Sequence, residues 1–143
     1  MSNEKSKNIL YGILAMIAGW IVGSAVNMGL VSLGHSVFPL EGIDLSDMEA
    51  LAAAMPGMEA KHFLFPFLGH ALGTFVGALV AALIARTRKM RYALAIGVLF
   101  LIGGIAVNVM LPGPLWFTVV DIVLAYLPMA WLGGTLAIGL RGK

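Results

Sequence analysis

The chain has 143 residues, of which 60% are hydrophobic and 11% charged, with a mean hydropathy of +0.96. Soluble domains carry about a quarter charged residues, so there is too little polar surface here to coat a water-soluble globule. Disorder, which needs low hydrophobicity, is excluded as well. With no cysteine, disulfides, thiolate metal sites and Cys nucleophiles are ruled out. The composition predicts a single-domain, all-α integral membrane protein.

A membrane-spanning helix needs about 20 mostly apolar residues. Four stretches meet that length, at about 9–34, 63–85, 92–111 and 115–139. Pro112-Gly113-Pro114 divides the last two as a tight turn. The expectation is therefore a four-transmembrane-helix bundle. The first segment opens with lysines and passes Gly23-Ser24-Ala25, which resembles a signal-peptide cleavage site. Its apolar run is far longer than a signal core, so it is read as a retained helix.

The outer loop, 35–62, is too long to be featureless. Ser46-Asp47-Met48-Glu49 matches a capping box, and Met48, Leu51, Ala52 and Met55 follow at helical spacing until Pro56-Gly57. This predicts a short amphipathic helix at about 47–55, lying flat over the bundle.

Eight of the nine Lys and Arg residues lie at one side: Lys5, Lys7, Arg86, Arg88, Lys89, Arg91, Arg141 and Lys143. Only Lys61 is opposite, beside Glu41, Asp44, Asp47, Glu49 and Glu59. The positive-inside rule makes the basic side cytoplasmic and predicts a multi-pass protein of the cell (inner) membrane with both termini inside. Arg86, Arg88, Lys89 and Arg91 are expected to meet anionic lipid headgroups of the bilayer. No nucleic-acid partner is expected.

Small residues recur every four positions. Gly19 and Gly23 lie in one row of the first span, and Gly69, Gly73, Gly77, Ala81 and Ala85 in one row of the second. Such rows, glycine zippers in form, let helix backbones approach closely. The second row is expected to pack within one protomer in preference to forming a homo-oligomer seam, although so small a bundle leaves room for an oligomer or a partner membrane subunit. Ala25–Leu30 and Ala106–Leu111 share four of six residues and hint at a duplication of two-helix units.

Ionisable residues inside a span are costly, and each is a functional candidate. Asp121 lies seven residues past Pro114, or about 10 Å along a helix. By the same counting His70 and Asn27 reach a similar level, and Asn108 a slightly shallower one. Thr74 and Thr118 lie one turn away from His70 and Asp121. The expectation is a polar intramembrane cluster of Asp121, His70, Asn27, Asn108, Thr74 and Thr118. Pro128 frees the carbonyl of Leu124 as a further oxygen.

Two functions follow. A transporter- or channel-like component uses Asp121 and His70 as an outward-facing site for protons or cations. An accessory or scaffold subunit uses the same layer only to fix helix register. An enzyme is a third and weaker reading: no catalytic residue is assigned, because the chain lacks a GxSxG elbow, an HExxH pair and a phosphate-cradling loop. No cofactor is expected and no metal site is assigned. Met48, Met55, Met58 and His62 could together bind soft Cu(I), but they read better as flexible apolar residues of an amphipathic surface, and the five outer acids lack the spacing of a calcium loop.

Overall fold

The structure is a computed structural model that describes residues 2–141. All regular structure in them is helical, in the order α1 (Asn3–Val37), α2 (Met48–Ala54), α3 (Leu64–Ile84), α4 (Lys89–Met110), α5 (Leu115–Leu124) and α6 (Leu127–Arg141). Short 3-10 turns at Met55–Gly57 and Ala60–Phe63 link α2 to α3. Four helical segments are long and apolar enough to cross a membrane: Asn3–Val37, Ala60–Ile84, Lys89–Met110 and Leu115–Arg141.

α1 runs beyond the expected 9–34 at both ends, because Lys5 and Lys7 are good helix formers and the chain meets no proline before Pro39. The fourth segment departs from expectation. It is not one helix over 115–139 but two, broken at Ala125-Tyr126. Pro128 is the cause: it has no N–H to give Leu124 and its ring clashes with the turn before it. The ladder resumes with the Ala130 N–H on the Tyr126 carbonyl at 2.8 Å.

α3 is the central helix, packed against α1, α6 and α4. Its antiparallel seam with α1 is a backbone contact. A Cβ added to Gly19 would lie 2.6 Å from the Gly77 carbonyl oxygen, and one on Gly23 would lie 2.6 Å from that of Gly73. The reverse tests, at Gly73 and Gly77, meet Gly23 and Gly19 at 2.8 and 2.7 Å. A carbonyl on a helix cannot retreat, so side chains are excluded here. Gly69 continues the row differently, with the Asn27 carboxamide oxygen 2.7 Å from its would-be Cβ.

The buried core is correspondingly small-grained. Ala15, Ala78, Ala81, Ala82, Ala93, Ile96, Ala130 and Ala137 are buried between the four long segments. Large apolar side chains instead face outward, among them Ile13, Trp20, Ile21, Met28, Ile102 and Trp131. This inverts the usual pattern of a protein in water.

Two ends follow from the antiparallel order. The loop end carries the 38–63 connection and the Pro112–Pro114 turn. The basic end carries the α3–α4 turn, where Arg88 adopts a left-handed conformation at φ 51°. There the Arg86 guanidinium lies 4.7 Å over the Tyr11 ring and 3.9 Å from Glu4. Arg86 thus has partners within the protein, whereas Arg88, Lys89 and Arg91 form no ion pair among the described residues.

The capping box is not formed. Asp47 caps α2, its Oδ1 accepting from the Glu49 and Ala50 N–H groups at 3.1 Å each. Ser46 turns back instead, donating its hydroxyl to Asp44 Oδ1 at 2.6 Å and its N–H to the same atom at 2.9 Å. These two bonds hold the Asp44 carboxyl below its ordinary pKa. Asp47 lies one residue nearer than Ser46 to the first turn of α2, and its carboxylate is the stronger acceptor.

Candidate functional site

The site is built around a carboxylate with no solvent exposure. Asp121, on α5, is fully buried, and three donors from different elements converge on it. His70 Nδ1, from α3, lies 2.8 Å from Oδ1. The Tyr126 hydroxyl donates to Oδ2 at 2.9 Å. The Asn108 amide of α4 reaches the same oxygen at a longer 3.4 Å, while also donating to the Gly104 carbonyl at 2.9 Å. Thr118 extends the chain by donating to Asn108 Oδ1 at 3.0 Å. A buried ion survives only when its lone pairs are taken up in this way.

Two of the expected members stand differently. Thr74 is fully buried, but its hydroxyl bonds back to the His70 carbonyl at 2.7 Å and makes no bond to Asp121. Asn27 lies outside the network: it packs against Gly69 and Gly73 in the α1–α3 seam, and its Oδ1 is buried without a partner. Counting residues gave its level along the helix but not its direction around it. Asn27 and Asn108, the matching residues of the suspected repeat, therefore occupy unlike positions.

Tyr126 is the residue that sequence reading missed. In an unbroken helix, residues five apart point about 140° away from each other, so Tyr126 cannot face Asp121. The break at Ala125-Tyr126 turns it back. Gly104 makes the room, because the Tyr126 hydroxyl occupies the place where a Gly104 Cβ would be. The one available signal was Pro128 following a tyrosine, a helix interruption with a polar tip beside it.

The pairing sets the state of the imidazole. A carboxylate at Asp121 requires Nδ1 to carry the proton, which in the neutral ring leaves Nε2 as a bare acceptor. Nε2 has no protein partner among the described residues and is not among their buried, unpartnered atoms. The ring cannot wander, being stacked on Tyr126 with centroids 5.8 Å apart and planes at 29°.

His70 and Asn108 also line a cavity of about 210 Å³ that extends toward the loop end. Its walls are mostly apolar and aromatic, including Val31, Phe63, Phe65, Leu111 and Phe117, and Leu51 and Met55 of the α2 region contribute on the loop side. Edge-on contacts brace these rings, Phe38 on Phe65 at 6.1 Å and Phe63 on Trp116 at 5.7 Å. A shallower depression adjoins it, sharing Phe38, Leu40, Lys61 and His62, with Lys61 and Glu59 paired at 3.3 Å. His70 is thus reachable from the loop end, and Asp121 is sealed behind it. Among known proteins, no family model, curated protein or solved structure matches the chain.

Proposed function

We propose that the chain is a multi-pass protein of the cell membrane, with both termini cytoplasmic and the loop end outward, in which His70 backed by Asp121 is a proton-accepting site of a transporter- or channel-like component. The outward-facing apolar side chains and the alanine-filled interior support insertion in lipid. The gathering of cations at the basic end supports the orientation.

The observation that carries the functional reading is the free Nε2 of a histidine that lines a cavity and is held by a buried carboxylate 2.8 Å away. Asp121 fixes the tautomer, aims the ring and supplies counter-charge when Nε2 takes a proton. A bare metal cation fits less well. Asp121 already accepts three donors and Asn108 Oδ1 accepts one, so few oxygens remain to coordinate it.

The scaffold reading has its own support, since Asp121 ties α3, α4 and the α5–α6 break together. Flux separates the two. Protein reconstituted in vesicles loaded with a pH-sensitive dye is expected to take up protons down an imposed gradient, and His70→Phe and Asp121→Asn to abolish the uptake while remaining helical and monodisperse. Wild-type vesicles no leakier than empty ones would end the transport reading and leave the scaffold.

A further inference from the structure

We infer that the cavity above His70 binds an uncharged, single-ring phenol-type amphiphile, its hydroxyl donating to His70 Nε2 and its ring held by the aromatic walls. The inference rests on the reading of His70 as the functional group of the site, and it adds the class of molecule that the group meets.

Size comes first. A cavity of about 150 Å³ holds benzene, so the 210 Å³ here admits roughly eight or nine heavy atoms by the same measure. That is one ring with a short substituent and a hydroxyl. Wall chemistry comes second. Phe63, Phe65 and Phe117 offer ring edges and faces, and Met55 and Met58 offer polarisable sulfur, which favours aromatic over branched aliphatic occupants.

Charge is third. Asp121 has no exposure and lies behind the His70 ring, which separates its carboxyl group from the cavity. A ligand anion would face an acceptor nitrogen at His70, and the one cation on the wall, Lys61, is already paired with Glu59 at 3.3 Å; a ligand cation would lose its hydration with few oxygens to replace it. The polar feature that the cavity presents at His70 is an acceptor lacking a donor, and a neutral hydroxyl supplies that donor without bringing charge into an apolar space. A phenol is a stronger donor than an alcohol and has the flat apolar body the walls fit. The adjoining depression beside Lys61 and His62 provides the approach.

The test uses 4-ethylphenol and 4-ethyltoluene, which share shape and differ in the hydroxyl, titrated into the full chain in lipid nanodiscs, with binding read by calorimetry against empty nanodiscs and with His70 nitrogen shifts read by NMR. 4-Ethylphenol is expected to bind about five- to tenfold tighter than 4-ethyltoluene, the worth of one hydrogen bond, and to shift the Nε2 resonance. His70→Phe is expected to erase that preference. Leu111→Trp, which fills the cavity away from the polar cluster, is expected to weaken both ligands and keeps the test decisive where His70→Phe does not fold. Equal affinity for the two ligands, an unmoved Nε2 signal, or a preference that survives in His70→Phe overturns the inference. Proton uptake by wild-type vesicles without phenol binding would sink the ligand class and leave the proton site standing; phenol binding without uptake would do the reverse.

Discussion

Tyr126 reaches back across a break in the helix to donate its hydroxyl to Asp121, five residues earlier, at 2.9 Å. The interruption that Pro128 imposes is what makes this possible, so a backbone defect and a buried charge are solved together. Replacing Tyr126 by Phe leaves Oδ2 with only the 3.4 Å contact from Asn108. The expected loss is about 1–3 kcal/mol of stability, read as a lower midpoint in thermal unfolding in detergent. A midpoint equal to wild type would show that the bond contributes nothing.

Gly104→Ala tests the same contact from the other side. The new Cβ would stand where the Tyr126 hydroxyl is now. Overpacking of this kind costs about 1–3 kcal/mol, and because both changes act on one hydroxyl, their effects should be clearly non-additive. A double mutant whose loss equals the sum of the two single losses would contradict the shared cause.

Asp121→Asn should invert the imidazole rather than merely weaken it. The amide oxygen accepts one of the present donors, and its NH₂ must face an acceptor, which His70 becomes by moving its proton to Nε2. Nitrogen NMR of labelled histidine is expected to show Nε2 changing from unprotonated to protonated at neutral pH. An unchanged tautomer would mean that Asp121 does not orient the ring.

The α1–α3 seam predicts a contrast between glycines. Gly73→Leu drives a side chain into the Gly23 carbonyl and should prevent stable assembly of α1 on α3. Gly29 and Gly103 have nothing within 4 Å of an added Cβ, so leucine there should change stability by no more than about 0.5 kcal/mol. Size-exclusion profiles and melting curves of the three variants settle the comparison.

At the loop end, Asp44 gives a pH-dependent signature. Its folded pKa lies below the ordinary aspartate value of 3.8 because Ser46 donates twice to it, from its hydroxyl and its N–H. A depressed carboxyl contributes stability that is present above its unfolded pKa and is lost as pH falls through the folded value. Ser46→Ala is expected to move the Asp44 titration upward toward 3.8, followed by carboxyl NMR. No movement would assign the depression to something other than the serine hydroxyl.

Most of the architecture was legible because charge is so sparse. The uncharged runs delimit four segments, and Pro112-Gly113-Pro114 marks the turn between the last long ones. The meeting of His70 and Asp121 was open to residue counting, since one is the only histidine and the other the only acid deep in its own segment. Asn27 was not, because depth along a helix says nothing of azimuth, and it turns toward Gly69 and Gly73. Tyr126 was hidden for the opposite reason: regular periodicity aims it away, and only an irregular backbone brings it in. The cavity was also beyond reach, as it is enclosed by residues from α1, α3, α4 and the loop that no local pattern groups together.

The naked backbone strip that joins α1 to α3 has a bearing on biosynthesis. α1 leaves the ribosome before α3, yet nearly everything it fits is on that helix, made about 40 to 60 residues later. Until that template emerges, its glycine furrow has no counterpart and the Asn27 amide has no neighbour. Maturation of the newborn chain therefore waits on the arrival of α3, and any delay in translation between the two prolongs the life of an unpaired first helix.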